Sequence, residues 1–313
     1  MILSLAAIGA YVLLVGAASF FESPARGFDA VQLNALVQFG SAALSVAVLV
    51  AIHGISMPPP LSLAAGLGIG LLASAGSICY VFALNVLPVS LVVAVSNLSI
   101  VVTIGLGVAI LHENVGPLKI GALVLTVAGA LALSRAPAKK STSAASGKHG
   151  ELPSSVTAPA RHGVRPAEPG ASLEHRLPGY GLLVLYLALV GASSFLEKPV
   201  LQQLDVFQLN ALQTVGMLMV AAIALAARQQ FPRAGWHMAV TIGVGATIGL
   251  GSIFYFLGLM RLPVSIAVGL ANGYVVVTVL LSVLIGHATL PRSKRLVIAL
   301  TMAGVALFTL SSK

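Results

Sequence analysis

Two stretches of this chain are copies of one another. Tyr11 to Glu22 (YVLLVGAASFFE) and Tyr186 to Glu197 (YLALVGASSFLE) agree at 8 of 12 positions, with an offset of 175. One further residue then enters the second copy, so that DAVQLNAL from Asp29 pairs with DVFQLNAL from Asp205. The offset readjusts, and GSICYVFALNVLPVS from Gly76 pairs with GSIFYFLGLMRLPVS from Gly251 at 9 of 15 positions. Near the ends, Ala128-Gly129 pairs with Ala303-Gly304. A duplicated unit of this size excludes most single-domain soluble folds before any motif is considered.

The solvent for this fold is lipid. Hydrophobic residues make up 58% of the chain, charged residues 8%, and the mean hydropathy is +1.02; a soluble domain carries about 25% charged residues. Apolar runs of about 20 residues suit helices that cross a bilayer, and the short alternating segments of a membrane barrel are absent. The runs predict an all-α membrane protein with ten transmembrane helices: 3–22, 31–52, 62–84, 88–111 and 117–134, then 179–199, 207–227, 236–259, 263–286 and 293–311. Residues 1–134 form the first five-helix repeat and 179–313 the second. Five spans is an odd number, so the second copy is expected to lie upside down relative to the first.

The first apolar run lacks the basic start of a signal peptide, and its counterpart at Tyr186 lies in mid-chain, so it reads as a spanning helix. Cys79 is the lone cysteine, and within an apolar run it reads as a small core residue.

Seven of the 17 Lys and Arg residues (Arg135, Lys139, Lys140, Lys148, Arg161, Arg165 and Arg176) fall between the copies, in a stretch rich in Ala, Ser, Pro and Gly. Residues 135–178 therefore read as a disordered basic linker. A cytoplasmic loop obeying the positive-inside bias explains it better than a nucleic-acid arm. With the linker inside, 13 basic residues fall on the inner face and Lys119, Lys198, Arg261 and Lys313 on the outer, which puts both termini outside.

Several local patterns recur in both copies. A Gly precedes a Phe near the end of the first helix (Gly16 and Phe20; Gly191 and Phe195), and a Tyr precedes a Leu-Pro-Val-Ser corner (Tyr80 and Pro88; Tyr255 and Pro263). The fourth helix ends LHEN, Leu111 to Asn114, before a Gly-Ala-Leu…Ala-Gly-Ala helix. This combination resembles the EamA-type branch of the drug/metabolite transporter superfamily. The resemblance covers nearly all of the chain outside the linker. It implies ten helices in an inverted five-plus-five repeat, alternating-access movement of small metabolites and, for many relatives, cytoplasmic termini. The chain also departs from the family pattern. Glu113 matches a Glu frequent after the fourth helix, but the second copy reads His287-Ala288; Val37 and Gln213 replace a frequent Arg, and Ile100 and Val275 a frequent Pro.

Polar side chains in an apolar bundle mark either interhelical hydrogen bonding or a wetted pathway. Asn34 and Asn210 occupy equivalent places, with Gln38 and Gln213 about one turn further on, and an amide can both donate to and accept from a polar solute. Asn97 and Asn272 form a second pair, deep in the fourth and ninth helices. Tyr80 and Tyr255 either meet a substrate or anchor at an interface. These eight residues are the candidate substrate contacts, each with helix packing as its plain alternative. Glu22 and Glu197 are candidate proton-coupling groups. If their helices continue toward Pro24 and Pro199, the carboxylates enter the bundle and can exchange protons at physiological pH; if the helices stop, they are ordinary interfacial charges.

The sequence contains no HExxH, no carboxylates at metal-ligand spacing, no Gly-x-Ser-x-Gly elbow and no phosphate loop, so neither an enzyme, a cofactor, a metal site nor an ATP-driven pump is expected. These readings converge on a secondary transporter in the bacterial inner membrane, moving a small polar or amphipathic metabolite with optional proton coupling. Its partners would be that small molecule and the bilayer but no nucleic acid, and its pathway would lie within one chain, which leaves room for a homo-oligomer. The alternatives are a flippase for a lipid-linked substrate, for which the unpaired Arg261 is the hint, and a membrane enzyme or scaffold.

Overall fold

The computed structural model describes residues 2–21, 28–54, 58–87, 89–96, 98–113, 173–229 and 235–285, with scattered positions between 116 and 128 and residue 232. Within these residues the chain forms helices α1 (Ile2–Phe21), α2 (Ala30–His53), α3 (Pro60–Val86), α4 (Val89–Ser96) and α5 (Ser99–Leu111). After the linker come α6 (Leu173–Val200), α7 (Val206–Arg228), α8 (Trp236–Leu259), α9 (Val264–Ala271) and α10 (Tyr274–Leu284). No strand occurs among the described residues. Six helices, α1, α2, α3, α6, α7 and α8, are long and apolar enough to cross a bilayer. The expected tenth span, most of the fifth and most of the linker lie outside the described residues, as do Glu22 and Asn97.

Two expectations need correcting. The runs 88–111 and 263–286 are not continuous helices: each splits, between Ser96 and Ser99 in one copy and between Ala271 and Tyr274 in the other. The second interruption has a visible cause. Asn272 turns its side-chain amide onto the Val268 carbonyl at 2.8 Å, and Gly273 N donates to Leu270 O, so the regular ladder tightens and stops. The second correction is that α6 begins at Leu173, earlier than the expected 179, and takes in the end of the expected linker.

Helix starts follow from the repeated DxxQ sequence. Asp29 accepts from the backbone N–H of Val31 and Gln32 at 2.8 Å each, while Gln32 accepts from the N–H of Asp29. Asp205 and Gln208 build the same capping box on α7. Such a cap satisfies amides that lipid cannot, and it is worth about 1 kcal/mol. Each cap also meets the far end of its partner helix. His53 Nε2 lies 3.5 Å from Asp205, and Arg228 lies 4.0 Å from Asp29. α2 and α7 therefore run antiparallel.

The packing between the copies is reciprocal. α1 lies along α8 as α3 lies along α6, α2 along α8 as α3 along α7, and α1 along α10 as α5 along α6. Individual contacts repeat with the same reciprocity. Thr103 donates to the Gly191 carbonyl and Thr278 to the Gly16 carbonyl, both at 3.0 Å. Tyr11 stacks against Tyr255 with ring centroids 5.4 Å apart, and Tyr186 against Tyr80 at 5.5 Å. Glycine makes the closest crossings possible. A Cβ on Gly70 would collide with the Gln213 carbonyl, and one on Gly245 with the Val37 carbonyl. Small residues at such crossings are how helices associate in lipid, where apolar burial alone gives no drive.

These contacts also give helix directions. Along α1 and α8, Ser4 and Ile8 meet Gly258 while Val15 meets Gly251, so the two run antiparallel. Along α3 and α6, Gly76 meets Val190, Tyr80 meets Tyr186 and Leu87 meets Gly179, again antiparallel. α2 and α8 run parallel, since Val37 meets Gly245 and Ser41 meets Gly249. α3 and α7 are parallel too, with Gly66 against Leu204 and Leu212 and Ser74 donating to the Met217 carbonyl.

Candidate functional site

α6 passes straight through Glu197 to Val200, with Pro199 inside its last turn. A proline near a helix end breaks few bonds, so the helix continues and carries the carboxyl group into the bundle. Glu197 is only 5% exposed. Its Oε1 accepts from Gln213 Nε2 at 2.9 Å, and the Tyr255 side chain acts on the same carboxyl group. Oε2 has no hydrogen-bond partner among the described residues, and neither does Gln213 Oε1. Buried oxygens left open in this way are costly unless a proton, water or solute meets them. Three sequence-predicted residues, Glu197, Gln213 and Tyr255, are thus brought together by α6, α7 and α8.

Tyrosines extend the cluster. Tyr11 stacks on Tyr255 and lies within electrostatic range of both Glu197 and Tyr274. On the other side Tyr186 stacks on Tyr80, hydrogen-bonds the side chains of Ser96 and Ser99, and also senses Tyr274. Five of the six tyrosines therefore converge where the two interrupted helices meet, with Tyr274 within reach of both groups. Discontinuous helices of this kind are tolerated in lipid where they are buried in protein or line a cavity. The sequence reading did not single out Tyr11, Tyr186 or Tyr274; the repeat of Tyr11 as Tyr186 was the signal available for two of them.

The other predicted residues fall differently. Asn210, 1% exposed, donates to Ser45 Oγ at 2.7 Å and to the Gly249 carbonyl at 3.2 Å, tying α7 to α2 and α8; its Oδ1 has no partner among the described residues. Asn34 is half-buried and accepts from Gln38 Nε2 at 3.5 Å within α2. Because α2 and α7 are antiparallel and both asparagines lie early in their helices, Asn34 and Asn210 sit toward opposite ends of the pair. Asn272 is occupied at the α9–α10 break. Asn97 and Glu22 lie outside the described residues.

A charged pair holds the corner between α8 and α9. Glu113 accepts from the backbone N–H of Val264 at 2.6 Å and of Ser265 at 3.1 Å, the first two amides of α9. Lys198 Nζ donates to the carbonyls of Leu259, Met260 and Leu262, at the end of α8. Each charge sits at the helix end whose dipole it complements. Glu113 reaches this position because His112, in the left-handed conformation at φ 52°, reverses the chain after α5, with the Glu113 N–H donating to Gly107 O.

Together, the apolar spans, the interrupted helices and the enclosed polar cluster define a multi-pass α-helical membrane protein built from two packed repeats. The profile of the EamA-like transporter family matches residues 1–135 and 177–310, one stretch for each repeat. The chain belongs to the EamA-like transporter family, and it is a membrane transporter of the drug/metabolite superfamily. A solved crystal structure superposes with a TM-score of 0.74 over 99% of this chain and 97% of that one, at 19% identity, a likeness of fold alone. Comparison with curated proteins gives no match.

Proposed function

We propose that this protein is a secondary transporter that moves a small polar or amphipathic metabolite by alternating access between two inverted five-helix repeats within one chain. Helix directions support the inversion. α1 opposes α8, α8 parallels α2, α2 opposes α7, α7 parallels α3 and α3 opposes α6; following these relations round, α1 and its counterpart α6 point in opposite directions. The two matched stretches support the division into repeats 1–134 and 179–313 around a linker. The basic linker faces the cytoplasm of a bacterial cell in this reading, with both termini outside.

The observation that carries the reading is the buried Glu197 carboxyl group, held by Gln213 beside Tyr255, on which Tyr11 of the first repeat stacks, and left with one open oxygen. Glu197 exchanges protons as the pathway alternates, with Glu22 its counterpart by sequence. Gln213, Tyr255, Tyr80 and Asn272 contact the substrate, as does Asn97 by repeat equivalence; Asn34 and Gln38 line one approach. Asn210 serves the site through helix packing.

The test begins with a screen of small metabolites by thermal shift on purified protein, followed by flux into liposomes with and without a pH gradient. Flux of the hit should rise with an imposed gradient, and Glu197→Gln should abolish that rise while the protein still binds the hit. Gradient-driven flux that survives Glu197→Gln removes the proton role. Normal binding by both Asn97→Ala and Asn272→Ala removes their assignment.

A further inference from the structure

We propose that the face of the membrane at which α2 ends carries a pH-sensitive clasp between the repeats: protonated His53 holds Asp205 and fastens the last turn of α2 to the first turn of α7, and the clasp loosens as pH rises. The clasp needs only the antiparallel α2–α7 pair; its assignment to the outer face rests on the orientation proposed above.

His53 is the last residue of α2, which stops at Gly54 with φ 65°. Positive charge is favoured in the last turn of a helix, where the carbonyl ends of the ladder gather. Asp205 is the N-cap of α7 and divides its carboxylate between two tasks. Oδ1 takes the backbone N–H of Phe207 and Gln208, while Oδ2 lies 3.5 Å from His53 Nε2. The His53 ring also packs on Phe207, with centroids 5.9 Å apart. α2 belongs to the first repeat and α7 to the second, so this contact spans the two. The side chains are 34% and 36% exposed, which lets a proton reach the pair from water without prior opening.

Histidine is the side chain whose charge ordinarily changes between about pH 5 and about pH 8. Protonated, His53 sets a cation against a carboxylate; neutral, it leaves a weak contact across 3.5 Å and the charge attraction goes. The hold is therefore complete in acid and lost as pH rises. The opposite end of the same helix pair supplies the reference. Arg228, in the last turn of α7, lies 4.0 Å from Asp29, the N-cap of α2, and an arginine keeps its charge throughout this range. The other charged or titratable groups described at the His53 end are His112, Glu113, Lys198 and Arg261. Glu113 and Lys198 are taken up at the α8–α9 corner, and among the described residues neither His112 nor Arg261 comes within ion-pair distance of Asp205.

The experiment uses the full chain with Cys79→Ser in phosphatidylcholine nanodiscs, where both faces meet the same buffer. Nitroxide labels on Ile52→Cys with Gln202→Cys report the His53 end by pulsed electron resonance, and labels on Phe28→Cys with Ala227→Cys report the Arg228 end. From about pH 5.5 to about pH 8, the separated population at the His53 end should rise about two- to fivefold, the scale of an exposed ion pair. His53→Gln should remove the response. Asp205→Asn should remove it as well, while the side-chain oxygen that remains still caps α7. His53→Arg should keep this end fastened at both pH values, and Arg228→His should give the other end a pH response. No response in the native protein, a response that survives His53→Gln or Asp205→Asn, or loosening at high pH in His53→Arg overturns the clasp. Sealed vesicles, with protease cleavage of the linker showing which side it faces, test the orientation separately. A response of the His53 end to pH on the linker's side defeats the outward assignment and not the clasp.

Discussion

The Gln213 side-chain amide donates to Glu197 across 2.9 Å and joins α7 to α6. By repeat equivalence Gln213 corresponds to Val37, so the equivalent position in the first copy carries no amide. The two halves share a backbone plan and differ in the polar group placed at this crossing.

Gln213→Leu should strand Glu197 Oε1 and lower stability by about 1–3 kcal/mol, the cost of leaving a buried acceptor unpaired. Thermal unfolding in detergent measures it. Combining Gln213→Leu with Glu197→Leu should restore part of the loss, because both ends of the bond are then apolar.

Gly70→Ala and Gly245→Ala should each disrupt the fold to a similar extent, since each methyl group would enter a backbone carbonyl of the other copy. Gly68→Ala has open space and should be neutral or slightly stabilising. The yield and melting temperature of the three variants decide the point.

Thr103→Val and Thr278→Val remove matching hydrogen bonds to Gly191 and Gly16. Each should cost about 0.6–1.7 kcal/mol, and the two costs should agree, because the geometry on either side is the same. Unequal costs would show that the copies carry load differently at these crossings.

Asn210→Ala should lower the melting temperature, because it strips a buried bond between α7, α2 and α8. Asn34→Ala, whose described partner is a long bond within its own helix, should leave stability almost unchanged and act on substrate binding instead. Parallel melting and binding measurements on the pair separate the two roles.

Much of the fold could be read from the chain alone. The duplicated Tyr11 and Tyr186 segments and the length of the apolar runs located α1, α2, α3, α7 and α8 to within a few residues, and α6 apart from its earlier start. The interruptions in the fourth span of each copy could not; in the second copy hydropathy is blind to Asn272, which takes its own helix's carbonyl. The site was legible in part. Glu197, Gln213 and Tyr255 were picked as polar residues in apolar surroundings, but their meeting depends on how α6, α7 and α8 cross. Asn34 and Asn210 looked interchangeable in sequence and differ because Ser45 and Gly249 give only Asn210 a set of partners on other helices. Glu113 stood out in sequence only as a match to a Glu frequent after the family's fourth helix; the reversal at His112 is what aims it at α9.

The glycine crossings at Gly70 and Gly245 press backbone on backbone so closely that neither helix pair can shear without lifting apart. They act as stiff fulcra. Deformation is then left to the places where the ladder of amide bonds is already cut, between Ser96 and Ser99 and at Asn272-Gly273, which serve as two soft elbows beside the tyrosine cluster. A rearrangement of this molecule should therefore leave the distances across the crossings fixed while the angle at each elbow changes.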